Sequence, residues 1–134
     1  MRFVLDVNVL ISGLLSQAGA PARLLERWLD GGLEVVVCEK LLDEFERALR
    51  SPKLRRRVAE SDAADFVALI RALAELVPDP TDPPPVRSQE PKDDYLIALA
   101  AREHVRLVSG DAHLLALSEA IPVSSPRAAI DLLE

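Results

Sequence analysis

The sequence predicts an α/β fold in which helices cover both faces of a parallel β-sheet. Short apolar runs of strand length alternate along the chain with longer segments whose apolar residues follow the helical period. The runs themselves lack polar alternation, which is typical of parallel strands that are covered on both faces. Strands that alternate with helices form parallel sheets, because each crossover helix must pack back onto the sheet.

Proline, glycine and short polar residues mark the ends of the elements. Pro21 and Pro126 suit the first turn of a helix, where an N–H group has no partner to lose. Gly31 follows the second helix, and Pro52 breaks the third. The expected strands are residues 3–5, 35–37, 106–108 and 122–123. Five of the expected helices are residues 8–15, 21–30, 40–49, 112–117 and 126–133. Two more are expected between them: one begins at a cap formed by Ser61 or Asp62 and ends at 74, and the other begins at Asp93 or Asp94 and ends at 102.

Prolines are concentrated in one segment, since five of the ten lie between positions 78 and 85. This composition predicts a stiff loop with little regular structure. The roughly 50 residues beyond it would form only a marginal core alone, and a chain of 134 residues fits one domain. We therefore expect a single domain over residues 1–134.

Charge and cysteine content narrow the class of protein. Lysine and arginine number 16 against 22 acidic residues, so the net charge of −6 excludes a uniformly basic nucleic-acid binder but leaves room for a local basic patch. The one cysteine, Cys38, excludes an intramolecular disulfide and is expected to be a small buried residue. Asp6 and Asn8 interrupt the apolar stretch that a secretion signal needs, and no apolar run has the length of a membrane span. A cytoplasmic protein is expected.

Three aspartates lie where the predicted sheet would carry a ligand. Asp6 follows the first strand, Asp111 follows the strand at 106–108, and Asp94 opens the helix before that strand. If the two strands are neighbours, all three acids gather at the carboxyl edge of the sheet. Their mutual repulsion would be relieved by a hard divalent cation, which carboxylates and waters commonly hold. Each aspartate also suits a helix cap, and Asn8 suits either a cap or a group that binds a water or orients Asp6.

The helix at 40–49 adds two further acids. Glu44 and Glu46 lie just beyond opposite edges of its apolar arc, while Asp43 points to the solvated side. Helical geometry does not choose between the two glutamates, and a solvated helix-face charge is the alternative for both.

Four segments in order resemble the PIN-domain family, specifically the small VapC-like toxins of toxin–antitoxin pairs. They are residues 3–10 (FVLDVNVL), 38–45 (CEKLLDEF), 91–100 (PKDDYLIALA) and 107–111 (LVSGD). The resemblance aligns Glu44 and Asp94 with family acids, so that Glu46 is implied to be a surface residue. Asp93 stands as a rival or partner to Asp94, and Ser109 is implied as an accessory hydroxyl.

Two positions depart from the family pattern. Val7 stands where many relatives carry a hydroxyl, and Glu90 stands where close relatives often carry aspartate. Neither departure removes an implied ligand.

The resemblance implies a three-layer α/β/α sandwich around a five-stranded parallel sheet. It also implies Mg²⁺- or Mn²⁺-dependent hydrolysis of RNA phosphodiester bonds and a small antitoxin partner. A homodimer is expected separately, from the apolar first two helices. The implied catalytic and metal-binding residues are Asp6, Glu44, Asp94 and Asp111. In such chemistry the ion polarises the phosphate and lowers the pKa of a bound water. His104 and His113 are expected at the surface, because they lack paired ligand spacing.

One basic cluster offers a surface for RNA. Five basic residues and no acid lie between positions 50 and 57, namely Arg50, Lys53, Arg55, Arg56 and Arg57. Contacts of this kind to the RNA backbone set affinity and its salt dependence. A solvated helix end is the alternative interpretation.

Two other functions fit parts of the pattern. A haloacid-dehalogenase-type phosphatase also begins with a strand and an aspartate, but its motif needs a second aspartate where this chain has Asn8. A non-catalytic PIN-like dimerisation or binding module is the other possibility. The apolar first two helices offer a homodimer face through Leu14, Leu15, Leu24 and Trp28, although core packing is the other fate of these side chains.

Overall fold

The computed structural model describes all 134 residues and contains one five-stranded parallel sheet with the strand order β3-β2-β1-β4-β5. Helices cover both faces, so the predicted three-layer α/β/α fold is confirmed. The strands are β1 (Arg2–Leu5), β2 (Glu34–Val37), β3 (Glu75–Leu76), β4 (Arg106–Val108) and β5 (Val123–Ser124). The helices are α1 (Val7–Leu15), α2 (Ala20–Leu29), α3 (Glu39–Leu49), α4 (Pro52–Arg55), α5 (Glu60–Leu73), α6 (Asp94–Glu103), α7 (Ala112–Leu115) and α8 (Pro126–Leu133), with a 3₁₀ turn at Pro91–Asp93 before α6.

The central strands β1 and β4 are neighbours and end at the same level. Leu5 pairs with Val108, and the amide of Asp6 donates a hydrogen bond to the carbonyl of Val108 at 2.9 Å. The residues that follow the two strands therefore leave the sheet side by side. This register places Asp6 and Ser109 at the same point of the carboxyl edge.

The core is built from the buried strands and from α6. Phe3, Val4 and Leu5 are at most 1% exposed, which accounts for the missing polar alternation in this strand. Every residue of α6 from Asp94 to Ala100 is buried. The apolar run at 95–100 therefore lies within the core and gives α6 a fixed position under the carboxyl edge.

Several elements differ from the sequence prediction, and α7, for example, ends at Leu115 instead of at residue 117. The edge strand β3 is absent from that prediction, because its two residues are exposed and carry no apolar run; they pair with Val36 and Val37. Pro52 ends α3 but also begins α4, whose N-cap Ser51 accepts a hydrogen bond from the amide of Leu54 at 3.4 Å. Ala59 is the N-cap of α5, so the predicted caps Ser61 and Asp62 lie inside its first turn.

The proline-rich loop fastens α3 to α6. Asp79 accepts a hydrogen bond from the amide of Lys40 at 3.0 Å, which satisfies a free N–H group at the start of α3. The Arg102 guanidinium of α6 donates to the carbonyl oxygens of Pro78 and Asp79. The loop is thereby held at both of the helices that border the carboxyl edge.

The first two helices pack inward. Leu24 and Trp28 are buried, and Leu14 and Leu15 are partly buried against the core. Of the four residues predicted for a homodimer face, the core therefore takes up Leu24 and Trp28, and Leu14 and Leu15 stay partly exposed. None of the helices combines the length and the apolar character that crossing a bilayer requires.

Candidate active site

Asp6 is the most buried carboxylate at the carboxyl edge of the sheet. It is 4% exposed, and its Oδ2 accepts a hydrogen bond from the hydroxyl of Ser109 at 2.7 Å. Although Asp6 occupies the N-cap position of α1, its side chain makes no capping hydrogen bond. The hydrogen bond from Ser109 is therefore the main contact of this side chain, although the nearby backbone amide of Asn8 at the start of α1 also lowers its pKa.

Ser109 connects Asp6 to Asp111. Its oxygen accepts a hydrogen bond from the amide of Asp111 at 3.0 Å while its hydroxyl donates to Asp6. Asp111 also caps α7, because its Oδ1 accepts from the amide of His113 at 2.8 Å. Asp111 thus caps α7 and also lies beside Asp6. The fully buried Ser109 fixes the two acids relative to each other.

The structure separates the two glutamates of α3. Glu44 turns toward the carboxyl edge and accepts a hydrogen bond from the hydroxyl of Tyr95 at 3.0 Å. Glu46 turns the other way, toward Arg71 of α5, with an N–O distance of 3.5 Å. Only Glu44 is positioned to act together with Asp6.

The adjacent acids Asp93 and Asp94 face different surroundings. Asp94 accepts a hydrogen bond from the amide of Ser88 at 2.9 Å and lies 3.4 Å from the Arg87 guanidinium. Asp93 is buried without such partners, and burial together with the charges of Asp6 and Asp111 raises its pKa to about 6. The structure thus brings Asp93 to the other carboxylates and turns Asp94 toward the loop.

The grouped acids share an uncompensated negative charge. They are Asp6, Glu44, Asp93 and Asp111, and none of them forms an ion pair with lysine, arginine or histidine. Burial raises the pKa of Asp6, the hydrogen bond from Ser109 opposes that rise, and the charges of Glu44 and Asp111 add to it. Such a group is stabilised either by protons or by a cation.

The donor set suits a hard divalent cation. All of the available ligand atoms are carboxylate oxygens, which Mg²⁺ and Mn²⁺ prefer over nitrogen or sulfur. No three side chains of the types His, Cys, Asp and Glu converge closely enough to hold one ion directly. Mg²⁺ is commonly held by only one or two carboxylates and keeps several of its waters, so the residues present fit a hydrated ion.

A cleft opens beside Asp111. Its volume is about 290 Å³, and its lining includes Asn8 and Ser12 of α1, Gly110, Asp111 and Pro126. Asn8 is exposed there, one helical turn before Ser12. A polar substrate group entering this cleft would meet both the amide of Asn8 and the carboxylate of Asp111.

The predicted RNA-binding cluster spans α4 and its flanks. Arg50, Lys53, Arg56 and Arg57 are exposed and form no ion pair, while Arg55 lies 3.5 Å from Glu60. Arg50 and Arg55 also border a groove of about 370 Å³ between α3 and α5 whose floor includes Leu49, Ala63 and Val67. The cluster therefore presents four free positive charges to solvent.

His104 and Cys38 are not among the hydrogen-bond partners of the grouped acids. His104 is exposed at the C-terminal end of α6, where it adopts a positive φ of 55°. Cys38 is buried, and burial raises the pKa of its thiol to about 11, which keeps the thiol protonated at neutral pH.

The contact between Tyr95 and Glu44 is absent from the sequence prediction. Tyr95 is 7% exposed in α6, and Lys40 lies over its ring, with Nζ 4.7 Å from the centroid. Burial and the charge of Glu44 raise the pKa of Tyr95, so its hydroxyl keeps the proton it donates. The only indication of this contact in the sequence is Tyr95 itself, a polar aromatic residue in a largely apolar helical segment.

The raised pKa of Asp93 predicts how the metal-free protein responds to pH. The folded state binds this proton more tightly than the unfolded chain, so the associated stability is present below the unfolded value of about 4 and is lost as pH rises through about 6. Asp93→Asn mimics the neutral acid. We expect it to raise the melting temperature in chelator at about pH 8 and to change it much less at about pH 4, where the folded chain holds most of this proton and the unfolded chain holds about half of it.

Thermal denaturation at the two pH values measures this difference. The matched control is Asp43→Asn on the exposed side of α3, for which the change should be the same at both pH values. An equal effect of Asp93→Asn at both pH values would contradict the assignment of Asp93 to the acidic group.

The family and the fold are both matched by known proteins. The model of the PIN domain family matches residues 2–113. The crystal structure of PAE2754 from Pyrobaculum aerophilum superposes with a TM-score of 0.67 at 16% identity, covering 99% of this chain and 89% of that one. VapBC2 from Rickettsia felis, bound to a DNA fragment from its promoter, gives 0.59 at 14% identity, covering 93% and 98%.

At such low identity, the two structures show a shared fold. No curated protein sequence gives a significant match. The family model spans most of the chain and includes Asp6, Glu44, Asp93 and Asp111. The chain therefore belongs to the PIN-domain family.

Proposed function

We propose that the protein is a metal-dependent endoribonuclease that hydrolyses RNA phosphodiester bonds and acts as the toxin of a toxin–antitoxin pair. One observation carries the proposal: four acids without a cationic partner are grouped at the carboxyl edge of a PIN-domain sheet. PIN domains are generally nucleases, and ligands of parallel α/β sheets bind at this edge. The exposed basic cluster supplies a surface for the RNA backbone.

Asp6, Glu44 and Asp111 would hold Mg²⁺ or Mn²⁺, directly or through water. When bound, the ion polarises the scissile phosphate and lowers the pKa of a water. Ser109 supports the orientation of Asp6, since its hydroxyl donates a hydrogen bond to one carboxylate oxygen. Asn8 lines the cleft, and its side-chain N–H would donate to a phosphate oxygen.

The fourth acid is assigned to Asp93. The family resemblance favours Asp94, whereas the burial of Asp93 and its interaction with Asp6 and Asp111 favour its neighbour. In this assignment Asp94 positions the loop through Ser88 and Arg87. Asp93 then contributes its charge to the acidic group, whereas Asp94 holds the loop in place.

The proposed protein partners rest on less direct support. A small antitoxin is suggested by the family resemblance and by the likeness of the fold to VapBC2. A homodimer remains part of the proposal, and the structure leaves Leu24 and Trp28 unavailable to its interface. Solution mass measurement would show twice the chain mass if the dimer forms.

Asp6→Asn tests the proposed chemistry. The substitution removes one carboxylate charge and leaves an oxygen to accept from Ser109. We expect RNA cleavage to require Mg²⁺ or Mn²⁺ and to fall more than about 100-fold in the variant, because even residues behind metal ligands cost 10–100-fold when lost.

A gel-based assay of a labelled RNA measures the cleavage. Asp43→Asn, which removes an exposed charge from α3, should cleave normally. Cleavage that persists in excess chelator would refute the proposal. If Asp6→Asn kept the full biological effect, the non-catalytic binding module would be favoured.

The pair Asp93→Asn and Asp94→Asn distinguishes the two acids. The side-chain amide introduced by Asp94→Asn would still offer an oxygen to the backbone N–H of Ser88, so we expect this substitution to change Mn²⁺ affinity little. Asp93→Asn should weaken Mn²⁺ binding about tenfold or more, because it removes a charge from the acidic group. Calorimetric titration of Mn²⁺ into each variant measures this, and the opposite order of effects would return the fourth acid to Asp94.

Simultaneous replacement of Arg55, Arg56 and Arg57 by glutamine tests the RNA surface. Each lost phosphate contact should reduce the slope of log affinity against log salt by about 0.7, so three contacts give about 2. Mn²⁺ affinity should change little. Fluorescence anisotropy with a labelled RNA measures the slope.

The control for the triple variant is replacement of Arg23, Arg27 and Arg127 by glutamine, which removes the same charge from α2 and α8. This control should retain the salt dependence of the wild type. Unchanged RNA affinity of the Arg55, Arg56 and Arg57 variant at low salt would count against the assigned surface.

A further inference from the structure

Two of the grouped carboxylates are each held by one hydroxyl from a distant segment. Ser109 donates to Asp6 at 2.7 Å, and Tyr95 donates to Glu44 at 3.0 Å. Ser109 belongs to the motif that the family resemblance already covers. Tyr95 lies 51 residues from Glu44 in sequence and belongs to a different helix, so this hydrogen bond links α6 to α3.

Tyr95 is the one side chain that donates a hydrogen bond to Glu44. No lysine or arginine forms an ion pair with this glutamate, and its neighbours at the carboxyl edge are acids that repel it. Without a donor, a glutamate with three rotatable bonds would turn away from those charges toward solvent. The phenol holds the carboxylate at Oε2 and leaves Oε1 free.

The tyrosine ring is itself fixed in place. It is 7% exposed, it lies in a helix that is buried along most of its length, and Lys40 packs over its face. Lys40 precedes Glu44 by one turn of α3, so the same helix contributes both the cation above the ring and the carboxylate at its hydroxyl. The hydroxyl therefore has a defined position in the metal-free protein.

We propose that Tyr95 is a positioning residue that orients Glu44 toward the divalent cation through its hydroxyl. The inference rests on the proposed function, since it takes Glu44 as a ligand of that cation. Residues that hydrogen-bond to metal ligands typically change metal affinity or activity 10–100-fold when removed. Tyr95 would act in this way without touching the ion or the RNA.

Tyr95→Phe removes the hydroxyl and keeps the buried ring. We expect the variant to bind Mn²⁺ about tenfold more weakly than wild type in a calorimetric titration without RNA. Cleavage by the variant should be largely restored at saturating Mn²⁺, because the ligand itself is still present. The control is Ser51→Ala, which also removes one hydroxyl hydrogen bond but at the start of α4, and it should bind Mn²⁺ like wild type.

The protein contains one tyrosine, which gives a second measurement on the wild-type chain. Mn²⁺ bound at Glu44 should perturb the near-ultraviolet absorption of Tyr95, and Glu44→Gln should abolish the perturbation. This readout does not depend on whether Tyr95→Phe folds.

The outcomes separate the inference from the proposed function. A folded Tyr95→Phe variant with wild-type Mn²⁺ affinity would overturn the inference, as would an unperturbed tyrosine spectrum while Glu44→Gln weakens Mn²⁺ binding. If the wild-type protein bound no Mn²⁺, or if Glu44→Gln left binding intact, the role of Glu44 in the proposed function would fail and the inference with it.

Discussion

Repulsion among carboxylates at one edge of the sheet is the constraint on which the rest of the structure depends. The register of β1 against β4 forces Asp6 and Ser109 out of the sheet at the same level. Burial then raises the pKa of Asp6, and Asp93 experiences the same effect together with the charges around it. Such an arrangement is stabilised by a proton or a cation that reduces the repulsion, and neighbouring groups keep the acids in place.

Three kinds of hydrogen-bonding contact hold these side chains. Hydroxyl groups fix Asp6 and Glu44, and a helix start fixes Asp111 through the amide of His113. The proline-rich loop contributes indirectly, because Asp79 caps α3 and Ser88 holds Asp94. A segment that carries almost no regular structure thus contacts both α3 and α6 near the carboxyl edge.

The sequence was sufficient to predict an element where one pattern, such as an apolar run, was strong. The apolar runs located β1, β2 and β4, and the position of Asp6 and Asp111 after two of these strands followed from the alternation of strands and helices. The edge strand β3 escaped prediction because two exposed residues carry no periodicity. The choice between Asp93 and Asp94 depends on where a 3₁₀ turn gives way to α6, and each residue of a helix turns the side-chain direction by about 100°. Sequence patterns do not resolve a boundary to one residue.

The central claim is that these acids bind a divalent cation at the carboxyl edge, and anomalous diffraction from crystals soaked in Mn²⁺ tests it most directly. The account predicts one or two anomalous peaks within coordination distance of Asp6, with Glu44, Asp93 or Asp111 as further ligands or hydrogen-bonded to bound waters. Peaks found only elsewhere on the protein, or no peak at an Mn²⁺ concentration that supports cleavage, would contradict it.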